Sequence, residues 1–227
     1  MYSIIIPLLE GEEEIHRLLE DFNLMQLDAE ILLIFPEKAV LDEVQFCESY
    51  PKLDIRVLKS GNSRASQMNY GANNAKFETI CFLHADSKVN AENIEFLKPS
   101  KHKPKDAIFY FKLAFEKSNC PFMFLNATGA NLRSRLFDAP FGDQGLSMTK
   151  TTFDRVGGYP TDASYGEDNL FILEAKKLKI PIICTNSVLM TSARKYEKFG
   201  WLKITLLHQY LWIKQNLQFK NKTTHDE

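Results

Sequence analysis

Several features are missing from this 227-residue chain, and each absence removes a class of protein. The four cysteines stand far apart, at 47, 81, 120 and 184, with no C-x-x-C pair. A structural zinc site is therefore not expected, and the pattern suits a reducing compartment. Cys81 lies inside an apolar run and reads as a small hydrophobe. Lys and Arg number 28 against 29 Asp and Glu, so no basic excess exists to neutralise a duplex, and no nucleic acid partner is expected. No apolar run reaches the roughly 18 residues that span a bilayer. The chain enters an apolar stretch at once, without a basic region or cleavage site. That predicts no signal peptide and a cytoplasmic protein. No G-x-G-x-x-G follows the first strand, which excludes a dinucleotide-binding dehydrogenase. No D-x-D-x-[TV] stands there either, so Phe82-Leu83-His84-Ala85-Asp86 is not a haloacid dehalogenase motif. Internal repeats and low-complexity segments are absent, and Lys101–Lys105 (KHKPK) reads as a solvated loop.

What is present is a regular alternation. With 44% hydrophobic residues the chain suits one large globular domain, or one domain with an appendage. YSIIIPLL, AEILLIF, DIRVLKS and ETICFLHAD read as strands, the first two buried on both faces. Between them lie helical patterns: residues 12–25, with Ile15, Leu18, Leu19 and Phe22 on one face, then 39–50 and about 63–75. The order β-α-β-α-β-α-β predicts a parallel sheet with helices on both faces. The second half is less regular. A strand is expected over 107–116, partial helix over 122–137, then a strand, a turn and a short helix closed by Gly157 and Gly158. A helix over 167–179 with Leu170, Leu173 and Leu178 inward follows, then one or two strands over 180–193 and a long amphipathic helix over 200–218. Residues 220–227 read as a frayed tail.

Ligands of open α/β sheets sit beyond the carboxyl ends of the strands. His84 and Asp86 stand at such an end, and a strand extended that far would point both to one side. Gly61 to Arg64 stand at the next one. Ser63 is a good N-cap, and Arg64 adds a fork of donors suited to phosphate at a helix start. Each feature also has a plain structural reading. Asp86 could cap a turn, and Arg64 could be a solvated helix end. Glu167 and Asp168 could complement a helix dipole, and Asp143 and Gln144 could sit in a turn before a strand.

The stretches SIIIPLL, GNSRASQMNYGANNA, FLHADSKV, GDQGLSMTKTTFDRVGGYP, GEDNLFILEAKKLK and TSARKYEKFGW occur in the order and spacing of family 2 glycosyltransferases. Over residues 2 to about 215 the chain resembles the subgroup called "transferase 2, rSAM/selenodomain-associated". The resemblance implies the GT-A fold, a Rossmann-like α/β mixed sheet flanked by helices, followed by a C-terminal amphipathic helix. It divides the chain into residues 1–200 (1–90 for the nucleotide, 91–200 for the acceptor) and the helix and tail at 201–227. It implies an inverting transfer of sugar from a nucleotide-sugar donor to an acceptor. Asp86 matches the last residue of the family's D-x-D and would bind Mg²⁺ or Mn²⁺, which hard oxygen ligands suit. His84 replaces the first Asp of that motif. It is grouped with the donor residues, with contact to metal, contact to ribose and simple packing all open.

Pro7, Arg64, Gln67, Asn69 and Arg194 fall on the donor side, with a surface ion pair as the plain alternative for Arg194. Asp143 and Gln144 fall on the acceptor side. Asp168 matches the general base and Glu167 its neighbour that positions the acceptor. Two departures fall on the nucleotide pocket: PLLEG stands for P-x-L-N-E, placing Gly11 where Glu is expected, and Phe35 stands where an Asp reads the base or ribose. A phenyl ring cannot accept the hydrogen bond of a carboxylate, but it can stack on a base. The departures leave a non-catalytic relative with a decayed pocket as the alternative. A nucleotidyltransferase is a weaker one, since the loop LLEGEEE is acidic where a basic Gly-rich loop is wanted. On the last helix, Trp201, Ile204, Leu207, Leu211 and Trp212 form a stripe. Docking on its own domain is its plain reading; a dimer contact and a membrane surface serving a lipid-linked acceptor are the others.

Overall fold

The computed structural model describes residues 1–40, 43–61, 63–120 and 122–223, without the side chains of 43–45, 222 and 223. Four strands and three helices alternate first: β1 (Ser3–Pro7), α1 (Glu14–Leu24), β2 (Glu30–Phe35), α2 (Glu43–Ser49), β3 (Asp54–Lys59), α3 (Arg64–Asn74) and β4 (Thr79–Phe82). β5 (Ser87–Lys88), α4 (Ala91–Leu97), β6 (Ile108–Phe115), α5 (Met123–Phe137), β7 (Leu146–Thr149) and α6 (Lys150–Val156) follow. The chain then forms α7 (Glu167–Lys177), β8 (Ile182–Thr191), α8 (Arg194–Phe199) and α9 (Trp201–Thr223). The expected helix over 39–50 is described from Glu43 onward; residues 41 and 42 lie outside the described residues.

The eight strands make one mixed sheet in the order β3-β2-β1-β4-β7-β6-β8-β5. β3, β2, β1 and β4 are parallel, β7 runs antiparallel to both β4 and β6, and β8 is parallel to β6 with a register shift near Tyr110. Burial on both faces explains the unbroken apolar runs. Ile4, Ile6, Ile31 and Leu33 pack under α1 and α2, while Ile5, Leu32 and Ile34 pack under α3. The sorting follows the period of two. Gly71 lets α3 approach: a Cβ there would meet Ile5 Cγ2 at 2.4 Å.

The fourth strand ends sooner than the sequence suggests. Pairing stops at Phe82, and His84 to Ser87 form a turn closed by the Ser87 N–H donating to the His84 carbonyl, 3.1 Å. The strand argument for one-sided side chains at His84 and Asp86 therefore does not apply. β5, α4 and α8 were not signalled. Helix α5 is continuous rather than partial, and the 180–193 region is one ten-residue strand. In α7 the inward side chains are Asn169, Phe171, Ile172 and Ala175; Leu170, Leu173 and Leu178 are half-buried. The expected tail is helical to Thr223, and residues 224–227 lie outside the described residues.

Candidate active site

Beyond the carboxyl ends of β1 and β4 the chain forms a cleft of about 540 Å³. Its floor is Pro7, Gln67, His84, Ala85 and Asp86, and Glu12 reaches in from the loop after β1. One wall is the turn Phe141–Asp143 with the start of α7, and the opposite end is closed by Lys195, Tyr196 and α9.

Local structure sets each group. Ser63 caps α3, its hydroxyl accepting from the Ser66 N–H at 3.1 Å, so Arg64 leaves from the first turn toward the cleft. Arg64 touches His84 through Nη2 and Nε2, and its Nε lies 3.6 Å from Glu167 Oε1. Burial first, then the charges of Arg64 and Lys195, hold the His84 pKa well below its usual range, so the imidazole is neutral at pH 7. Its Nε2 then accepts from the guanidinium. Arg17 of α1 donates to the Asp86 carbonyl at 3.2 Å and pins the turn that carries that carboxylate. Burial and the nearby Glu12 and Asp143 carboxylates push the Asp86 pKa up, against the pull of Arg64.

Asp168 sits in the first turn of α7, its Oδ2 accepting from the Gly142 N–H at 3.2 Å. Burial raises its pKa to about 6; Arg64 opposes this, while Glu167 and Asp143 add to it. Gly142 is required here, because a Cβ would meet Asp168 Oδ2 at 2.3 Å and His84 Nε2 at 2.7 Å. The same figures show that His84 and Asp168 both come close to the space over this one glycine. Asp168 Oδ1 and Asp143 Oδ1 are buried and have no hydrogen-bond partner among the described residues.

Behind Asp143 opens a side chamber of about 120 Å³, shared by Arg133, Asp143, Tyr196 and His208. Arg133 stacks on Phe141, 3.5 Å to the ring centre, and keeps Nη2 unpartnered among the described residues. Burial raises the Asp143 pKa, with Arg133 the main charge pulling it down.

The cleft thus gathers Pro7, Arg64, Gln67, His84, Asp86, Asp143, Glu167 and Asp168. Gln67 is buried and donates to the Leu8 carbonyl at 2.8 Å. Three expected site residues lie elsewhere. Asn69 holds the Tyr159 backbone through two 2.8 Å bonds, and Gln144 is buried among Ser134, Phe111 and Phe141. Arg194 is exposed and pairs with Glu14, while its neighbour Lys195 lines the cleft. Phe35 does not line the cleft: it is 5% exposed and packs on Phe46, with ring centres 5.8 Å apart. That corrects the expectation of a ring available for stacking.

The sequence did not point to the part played by α9. His208, Leu211, Trp212 and Gln215 line the cleft. Gln215 accepts from Asn169 at 2.7 Å and donates to the Tyr165 carbonyl at 2.9 Å, fastening α9 to the start of α7. Of the expected stripe, Ile204 is buried, Trp201, Leu211 and Trp212 are half-buried, and Leu207 is exposed. Among the described residues, no three His, Cys, Asp or Glu side chains converge as a metal site.

No protein-family model and no curated protein matches the chain. Solved structures do. A mannosyltransferase from Pyrobaculum calidifontis, in complex with GDP-Man and Mn²⁺, aligns over 83% of this chain and 56% of its own, with TM-score 0.58 and 16% identity. Residues 1–349 of S. aureus TarS, in complex with UDP-GlcNAc, align over 84% of this chain and 58% of their own, with TM-score 0.62 and 18% identity. The same protein with UDP gives TM-score 0.61 at 18% identity. The chain therefore spans somewhat over half the length of these proteins, and it has the fold of the GT-A glycosyltransferases.

Proposed function

We propose that the chain is an inverting, metal-dependent glycosyltransferase of family 2, moving a sugar from a nucleotide-sugar donor to an acceptor hydroxyl. The observation that carries this reading is the cleft itself. One cavity brings Arg64, His84 and Asp86 from the sheet edge against Asp168, whose pKa burial pushes up to about 6 and whose Oδ1 is unpartnered among the described residues. The donors held by the solved structures of this fold support a nucleotide sugar.

Asp168 is the general base. With a pKa of about 6 it is mostly ionised at pH 7, yet basic enough to take a proton, and Oδ1 has no hydrogen-bond partner among the described residues, which leaves it as an acceptor. Glu167 keeps Arg64 beside it. Arg64 is the diphosphate contact, and Lys195 adds a second positive charge to the same cleft. Asp143 and the chamber behind it receive the acceptor. The donor set also fits a hard divalent cation. Burial first, then repulsion from Glu12 and Asp143, raises the Asp86 pKa, and a cation would relieve that repulsion. Asp86 would hold Mg²⁺ or Mn²⁺, with no second protein ligand required if diphosphate and water complete the shell. When bound, such an ion neutralises charge growing on the leaving diphosphate.

Two variants test the roles. Asp168→Asn should lower turnover by roughly 10²–10⁴-fold, the usual share of general base catalysis, and leave donor binding unchanged. Asp86→Ala should abolish the Mn²⁺-dependent rise in melting temperature given by a donor. Full turnover in Asp168→Asn would refute its role. The second reading, a non-catalytic relative, draws on Phe35, which stands where the resemblance expects an Asp and is packed into the core. It gains if no nucleotide sugar, screened with Mn²⁺, shifts the melting temperature.

A further inference from the structure

The helix that walls the cleft has a second apolar side. On α9, Leu202, Leu206, Tyr210, Ile213 and Leu217 recur at intervals of three and four residues. At 3.6 residues per turn they fill an arc of about 80°. They are 51–60% exposed. The opposite side of α9 carries Ile204, Leu211 and Gln215 into the body of the protein. One stripe therefore serves the fold and the other is bare.

Helix α5 extends the bare surface. Phe124, Leu125, Leu132 and Leu136, 47–65% exposed, fall within an arc of about 120°. The two helices run side by side in the same direction. Phe122 meets Trp201 with ring centres 4.9 Å apart, Asn126 donates to Thr205 at 3.1 Å, and Phe137 meets Trp212 at 6.0 Å. Both bare arcs lie opposite the sides that touch the body, so they form one continuous face. A patch of this extent marks an interaction site.

Its charge says what covers it. Residues 117–137 and 198–225 contain no Asp or Glu, although the chain has 29 acidic residues, and they hold eight Lys and Arg. Arg135 lies in the α5 arc, Lys203 and Lys214 flank the α9 stripe, and all three are exposed. A second copy would suit this face poorly, because a two-fold interface sets a patch against itself and the positive charges would meet. No helix among the described residues is long and apolar enough to cross a membrane.

We propose that the α5–α9 face docks on a bilayer bearing anionic lipids, with its apolar side chains at the headgroup boundary and its lysines against phosphate. The proposal stands without the transferase reading. If that reading also holds, docking sets the cleft wall beside the headgroups, and the acceptor is carried on a lipid.

Vesicle flotation of the whole chain tests it. The protein should float with phosphatidylcholine vesicles containing phosphatidylglycerol, much less with phosphatidylcholine alone, and less as salt rises. Leu206→Glu with Ile213→Glu should lower the partition coefficient at least tenfold. Lys203→Gln with Lys214→Gln should lower it by roughly fivefold per lysine. Both double variants change exposed side chains and should melt with the parent. No flotation of the folded protein with anionic vesicles would overturn the proposal. So would flotation that neither variant changes. A stable dimer that Leu206→Glu with Ile213→Glu converts to monomer, without vesicle binding, would assign the face to a protein partner instead.

Discussion

Adding one methyl group at Gly142 tests whether the cleft is as tightly arranged as its distances indicate. In Gly142→Ala the new Cβ would lie 2.3 Å from Asp168 Oδ2, 2.8 Å from Asp168 Cγ and 2.7 Å from His84 Nε2. Ordinary contact begins near 3.4 Å, so the carboxylate must retreat by about 1 Å. Asp has a short side chain fixed by the start of α7, and His84 is held by Arg64, so neither yields easily. The hydrogen bond from the Gly142 N–H, already 3.2 Å, should break. Overpacking of this kind costs about 1–3 kcal/mol. For a chain of this size that is a fall in melting temperature of roughly 2–12 °C. A displacement of 1 Å in a catalytic group costs about 10²-fold in rate. Thermal unfolding measures the first effect without any substrate, and a donor-turnover assay measures the second. A Gly142→Ala protein that melts with the parent and turns over donor at the parent rate would refute the close approach of His84 and Asp168 to Gly142.

Three further substitutions separate the interactions. Arg64→Gln should raise the Asp168 pKa above about 6, since Arg64 is the main charge lowering it, and an NMR titration of the carboxyl reads this. A pKa raised on folding gives stability that is complete below the unfolded value near 3.8 and lost as pH rises through 6. In Arg64→Gln that loss should therefore extend to higher pH. Glu30→Ala should cost about 1–3 kcal/mol in denaturant unfolding. It removes the fully buried carboxylate that accepts from the Ser3 hydroxyl, the Lys76 N–H and Arg56 at 2.5 Å, while Arg56 keeps the Asn74 carbonyl. Burial alone would raise the Glu30 pKa, but those hydrogen bonds carry it lower, so the difference from the parent should shrink as pH falls below about 4. Gln215→Leu removes the bonds to Asn169 of α7 and to the Tyr165 carbonyl just before it and should cost about 1–3 kcal/mol, with earlier proteolysis after α8.

The first half of the fold was legible because its first two strands, β1 and β2, are buried on both faces. A strand such as SIIIP has no polar side to blur its pattern, and Ile15, Leu18, Leu19 and Phe22 mark the docked face of α1 cleanly. The second half was harder because its elements have mixed surroundings. In α7 the leucines looked like the inward set, yet Asn169 is buried in their place, since α9 covers that side and supplies Gln215 as its partner. A polar residue buried against a distant helix leaves no mark in local periodicity.

The site divides along the same line. That Arg64, Asp86, Glu167 and Asp168 line one cleft was legible because helix starts and strand ends are where an α/β sheet exposes its chain, and short motifs record those places. Asn69 and Gln144 sit in equally motif-like stretches but spend their amides on backbone groups of Tyr159 and Phe111. An amide that satisfies buried backbone and one that waits for a ligand read the same in sequence, because the difference lies in which carbonyl stands 3 Å away. Phe35 and Lys195 make the complementary case. A one-residue position decided both: Phe35 turns with Ile31 and Leu33 into the core face of β2, and Lys195, not Arg194, comes off α8 toward the cleft. Charge type was readable at Arg194 and Lys195, but which of the two faces the cleft depends on how α8 is turned against it.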